Sequence, residues 1–87
     1  MDPKQDKLEG QTLGEYRVGI DFNPSNDDTV GQLKRASADL IDHISGIPDG
    51  SSRGAASGEV ARLKALAQTH IETAAMYAVK AATKPAP

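Results

Sequence analysis

Ser57 to Thr83, SGEVARLKALAQTHIETAAMYAVKAAT, is the longest proline-free stretch with a helical period, and its reading decides the fold class. Val60, Leu63, Ala67, His70, Ala74, Tyr77 and Ala81 step by three and four residues, so they share one stripe of a helix. Leu66, Ile71, Met76 and Val79 are apolar and lie off that stripe, so more of the helix is apolar than one neighbour covers. A helix of this length runs roughly 40 Å. Its many alanines favour helix and let another backbone come close.

Upstream, PDGSSRGAA at residues 48–56 is turn-rich, and Ser57 is the expected N-cap of the helix that follows it. Before that loop, Val30, Leu33, Ser37, Leu40, Ile44 and Ile47 form a second seam, which Gly46 and Pro48 end. Its helix should start between residues 24 and 28, capped by Asn23 with Pro24 in the first turn or by Ser25 with Asp28 three residues on. Two such helices joined by a short loop pack antiparallel. Matched outward from the loop, Lys34 falls level with Thr69 and His70, and Tyr77 to Thr83 lie beside or beyond the start of the first helix.

In YRVGIDF, Tyr16, Val18, Ile20 and Phe22 alternate with the period of an extended strand, yet the chain holds no second strand to pair with it. The expectation is an extended or irregular segment laid on the helices, anchored by those side chains. The first ten or so residues are polar and aperiodic, an arm without fixed structure. The expected organisation is a flexible arm over 1–14, a helical hairpin domain over 15–83 and a tail over 84–87. The fold class is all-α: an antiparallel helical hairpin with an extended N-terminal segment. Its core is thin for its length, and with Ile41 and Ile71 flanking the seams, assembly into a homo-oligomer is expected.

With 87 residues the chain has room for one small domain. It contains no cysteine, which rules out disulfides and thiolate metal sites and fits a reducing compartment. No segment reads as a signal peptide or a membrane span, so a cytosolic protein without membrane contact is expected. A net charge of −2 argues against DNA as a partner. Residues 1–28 hold three basic and seven acidic side chains, whereas residues 29–87 hold seven and five. The helical part is mildly basic and can hold a small anion.

Enzymatic signals are weak. His43 and His70 are far apart in the hairpin, and no serine sits in a nucleophile elbow. His70 on its seam reads as a structural, partly buried histidine, and His43 as a surface residue near Asp39. Asp39 and Asp42 face mostly away from the seam, and Gly50, Gly54 and Gly58 are loop glycines without a phosphate-binding pattern. No catalytic residue, metal ligand or cofactor is indicated. Arg35 has Asp39 four residues on and Arg62 has Glu59 three residues back, but Lys34 and Lys80 have no carboxylate at helical spacing. Lys34 is either a snorkelling residue beside an interface or a phosphate contact. Tyr16, with Arg17 beside it, is either a packing anchor or a platform for a purine.

Three stretches carry a resemblance: EYRVGIDFNPS; then V-x-x-L-K followed by A-x-L-I-D; then A-x-T-H-I-E-T-A-x-M-Y-A-V-K-A-A-T. Together, over roughly residues 15–83, they resemble the small phage anti-CBASS proteins that act as cyclic-oligonucleotide sponges. They are similar, more distantly, to the hairpin domain of the sponges that counter Thoeris by capturing cyclic ADP-ribose isomers. The resemblance implies an all-helical homo-oligomer, commonly a hexamer, that sequesters signalling nucleotides without cleaving them, in the cytoplasm of the infected bacterium. It implies cyclic dinucleotides such as cyclic GMP-AMP held between protomers by an aromatic of the N-terminal segment and a lysine of the first long helix. Tyr16 and Lys34 match those two elements. Some members add a site for cyclic trinucleotides on the last helix, which points to Thr69 and its neighbours, although Gln68 stands where that pattern has arginine. The candidate ligand set is therefore Tyr16, Arg17, Phe22, Lys34, Thr69, His70 and Lys80. Without the resemblance, the residues support a helical oligomerisation or partner-binding module, with an enzyme that degrades the nucleotide ranking third.

Overall fold

The computed structural model describes residues 10–50 and 56–87. Most of the expected arm and the middle of the interhelical loop thus lie outside the described residues. Three helices follow in order: α1 (Leu13–Val18), α2 (Asp28–Ser45) and α3 (Ser57–Thr83). α2 lies in the middle, packed on α1 along one side and antiparallel to α3 along another, while α1 and α3 meet only slightly. No helix among the described residues is long and apolar enough to cross a membrane.

The first correction concerns the N-terminal segment, which is helical where an extended course was expected. Thr12 caps α1: its hydroxyl accepts from the Glu15 amide at 3.1 Å, and the Thr12 amide donates to the Glu15 carboxylate at 2.9 Å. This reciprocal capping box turns the T-x-x-E of residues 12–15 into a helix start. Gly19 stops the helix in the left-handed region, φ 64°, and the Ile20 amide returns to the Glu15 carbonyl at 3.0 Å. That is a glycine-terminated helix end. Six residues do not hold a helix alone. α1 persists because Gly14 is buried directly on the α2 backbone, where a Cβ would come within 2.1 Å of the Ala38 carbonyl oxygen. The Gly14 amide also donates to Asp42 at 2.7 Å. Residues 11–14, assigned to the arm in the sequence reading, therefore belong to the folded part.

α2 begins within the expected window, but its cap is neither Asn23 nor Ser25. Asp27 accepts from the Val30 amide at 3.1 Å. Asn23 instead ties the preceding turn, with its amide group donating to the Asp27 carbonyl and accepting from the Asp27 amide. α3 likewise starts one residue early: Ala56 is its cap position and makes no side-chain capping bond, so Ser57 is already helical. The other end of the loop is fastened from α3. Lys64 donates to the carbonyls of Ser45, the last residue of α2, and of Ile47 beyond it, and pairs with Asp49 at 2.9 Å.

The buried face differs from the seams by about a quarter turn. Among the described residues the buried apolar side chains are Val30, Ala38, Ile41 and Ala75, joined by Lys34 and Gln68. The stripe facing the neighbours on α2 is thus Val30, Lys34, Ala38 and Ile41. Leu33, Ser37, Leu40, Ile44 and Ile47 lie beside it, half-buried or exposed. On α3 the inward positions include Lys64, Gln68, Ile71 and Ala75, whereas Leu63, His70, Ala74 and Tyr77 of the expected seam are exposed. Ile41 and Ile71, expected to flank the seams, point inward. The register also shifts. Gln68 donates to the Ile41 carbonyl, and Lys34 shares a cleft with Ala75, Met76 and Val79, about two turns beyond the expected Thr69 and His70.

The seam residues collect instead on the side of α2 away from α1. Shallow apolar depressions run there between the two long helices, one lined by Leu40, Ile71, Ala74 and Ala78 and another by Ile44, Ile47, Val60, Leu63 and Ala67. The face is apolar along its length and open.

Candidate functional site

The site is built on the end of α1 and the turn that follows it. Gly19 directs the chain back on itself, the Phe22 amide donates to the Gly19 carbonyl at 2.9 Å, and Tyr16 and Phe22 end on the same side. With Gln11, Gly19 and Asp21 they line an open depression of about 370 Å³. Phe22 is 72% exposed and Tyr16 40%. The alternation makes both of them anchors of their segment, Tyr16 is equally open to a purine-stacking role, and the resemblance puts both in the ligand set. In the fold, Val18 and Ile20 are the more covered pair, Phe22 is largely free, and Tyr16 is partly covered.

Lys34 organises this turn from below. It is only 7% exposed, and its ammonium donates to the Gly19 carbonyl at 2.9 Å and also to the Phe22 carbonyl. It sits 5.3 Å from the centroid of the Phe22 ring, within reach of a cation–π attraction. The reading of Lys34 as a cation with no internal partner, flanking the seam, is therefore corrected: its partners are main-chain carbonyls, which helix spacing does not reveal. Two of its three N–H groups are engaged in this way. Its remaining surface opens into a cleft of about 200 Å³ between α1 and α3, walled by Val18, Ala75, Met76 and Val79, with Arg17 and Glu72 at its edge.

Arg17 spans that cleft. Its Nε donates to Glu72 at 2.8 Å, its Nη2 lies 2.8 Å from the same oxygen, and Nη2 reaches the Thr69 hydroxyl at 3.4 Å. Arg17 and Thr69, candidates from opposite ends of the chain, are thus adjacent. His70 and Lys80 are exposed on α3 and join neither the depression nor the cleft. His70 is not the partly buried histidine expected from the seam. Gln68 is buried and donates to the Ile41 carbonyl at 3.1 Å and the Ser45 hydroxyl at 2.8 Å, so it ties α3 to α2.

Charges around α1 are paired as well. Arg35 bridges Glu15 at 2.8 Å and Asp39 at 2.7 Å. The Thr12 amide and then the Arg35 guanidinium hold the Glu15 carboxyl below its ordinary range, and Glu15 and Asp39 together raise Arg35. The expected Arg35–Asp39 and Arg62–Glu59 pairs both form. No group of residues suited to a metal ion occurs among the described residues.

Sequence reasoning missed Gln11 and Asp21, which line the depression, and Glu72, which fixes Arg17. Position along the chain gave no signal for any of them. The capping box at 12–15, by contrast, was there to be read. The arrangement offers two aromatic faces beside a turn with a buried cation beneath it, which suits a flat, anionic ligand. The family model described as Acb2/Tad1, hairpin domain, matches residues 15–83. No curated protein and no solved structure matches the chain.

Proposed function

The chain belongs to the Acb2/Tad1 hairpin-domain family, whose members sequester cyclic nucleotides, and from that premise we propose that it captures cyclic dinucleotide second messengers and holds them intact. One observation carries the reading: Tyr16 and Phe22 present exposed aromatic faces on the same side of a turn whose carbonyls Lys34 gathers. Each ring is a platform for a base, and the third N–H of Lys34, with the Arg17 guanidinium beside Thr69, supplies positive charge toward a phosphate. The depression is open, as a half-site would be. A two-base ligand is covered when a second copy brings its own Tyr16 and Phe22, and the uncovered apolar face between α2 and α3 supports self-assembly. A homo-oligomer, a hexamer by analogy with the resemblance, would work in the cytoplasm of a phage-infected bacterium and block CBASS signalling. Cyclic trinucleotides are a second ligand class, with Thr69 as their contact.

That same apolar face favours a second reading, a helical assembly module without a nucleotide ligand. Calorimetric titration with a panel of cyclic dinucleotides, together with light scattering, separates the two. Binding by an oligomer larger than a dimer, and unchanged nucleotide recovered after heating, are expected. Linear product accumulating with time would identify an enzyme, and an assembled protein that binds nothing in the panel would leave the module reading. Tyr16→Phe should keep most of the affinity, while Tyr16→Ala loses about 1–3 kcal/mol per stacked base.

A further inference from the structure

The depression beside Tyr16 has a polar edge made by Gln11 and Asp21. Gln11 Nε2 donates to Asp21 Oδ2 at 3.2 Å, while the buried Gln11 Oε1 has no hydrogen-bond partner among the described residues. Turning the amide over does not help, because it sets Oε1 against a carboxylate oxygen and leaves two acceptors facing each other. Asp21 Oδ1 also accepts no hydrogen bond among the described residues. The Asp21 carboxylate oxygens are therefore the acceptors offered next to two aromatic faces, with the Gln11 amide, whose Nε2 keeps a second N–H, beside them in the same depression.

A base stacked on Tyr16 or Phe22 turns an edge toward these acceptors. Guanine presents two adjacent donors on its Watson–Crick edge, N1–H and the N2 amino group, which match the two oxygens of a carboxylate. Adenine presents its N1 lone pair beside a single amino group, and uracil and cytosine each present at least one acceptor at the corresponding place, so a carboxylate repels part of their edges. We propose that Asp21 and Gln11 make this depression a guanine-selective base site. The Asp21 carboxylate accepts from N1–H and one N2–H, while the Gln11 amide, donating to Oδ2, holds the carboxylate in place. The proposal rests on the cyclic-nucleotide reading above and adds the base it selects.

Cyclic di-GMP and cyclic di-AMP are the probes, titrated calorimetrically into the wild-type chain and into Asp21→Asn and Gln11→Ala. The wild type should favour cyclic di-GMP by about 5- to 150-fold, the range for one good bidentate base contact. Asp21→Asn should bring the two ligands to within about threefold by weakening cyclic di-GMP alone, and Gln11→Ala should reduce the preference by less. Asp21 is exposed, so helix content should stay constant by circular dichroism. Equal affinities in the wild type, or parallel loss of both ligands in Asp21→Asn, overturn the guanine assignment and leave the sponge reading standing. Binding of neither ligand or of any other cyclic dinucleotide removes the sponge reading and this assignment with it.

Discussion

Lys34→Met keeps the aliphatic stem that lines the α1–α3 cleft and removes the ammonium that gathers the Gly19 and Phe22 carbonyls. Hydrogen bonds from a charged donor contribute ~1.5–3 kcal/mol each, and a cation near an exposed ring adds ~0.5–1 kcal/mol. The gross loss is offset because burying an ammonium is itself costly and because the freed carbonyls of a surface turn regain water. The net destabilisation should be about 2–4 kcal/mol, a large share of what a domain of this size possesses. At ~4–8 °C per kcal/mol this lowers Tm by roughly 8–32 °C. Thermal and urea unfolding by circular dichroism measure it, at one protein concentration because assembly adds its own stabilisation. Amide exchange at Ile20 and Phe22, whose N–H groups donate within this turn, should accelerate more than exchange in α3. A variant melting within about 2 °C of the wild type, with protection of the turn unchanged, would show that the ammonium does not hold the turn, and Lys34 would return to a purely ligand-facing role.

Gly14→Ala places a methyl group within 2.1 Å of the Ala38 carbonyl oxygen, so α1 must lift from α2. A loss of about 1–3 kcal/mol in urea unfolding is expected, and an unchanged midpoint would mean that α1 does not dock as closely as described. Glu15, whose carboxyl is held low by the Thr12 amide and Arg35, stabilises the fold at pH values above its unfolded pKa, near 4.5, and that contribution fades as the pH falls through the lower folded value. The urea midpoint should therefore drop more between pH 6 and pH 3.5 for the wild type than for Glu15→Gln, which keeps the capping geometry without the titration; equal drops would remove Glu15 as a source of acid sensitivity.

The composition, the two long helical periods and their stop signals were enough to specify an all-helical chain with an antiparallel pair of long helices. Local pairs followed from spacing alone, since Arg35 with Asp39 and Arg62 with Glu59 depend only on helix geometry. The Thr12 to Glu15 capping box was equally local, but the alternation of Tyr16, Val18, Ile20 and Phe22 masked it. Six helical residues followed by a turn produce the same alternation as a strand when read over so short a window.

What the tertiary structure alone decided was which apolar positions are covered and what the buried lysine does. A period shows that a face is apolar and does not say which neighbour lies on it. α2 serves two neighbours at once, so its most buried line falls between them, on Val30, Lys34, Ala38 and Ile41, while the Leu33 to Ile47 seam is left open. The close approach of Gly14 to Ala38 sets α1 in place, and only then do the carbonyls of Gly19 and Phe22 come within reach of Lys34. The Gln11–Asp21 bond and the Arg17–Glu72 pair arise in the same way, from residues 10 and 55 positions apart. Sequence spacing carries the helical period of one element; contacts between elements depend on how close their backbones come, and here that distance is set by the missing side chain of Gly14.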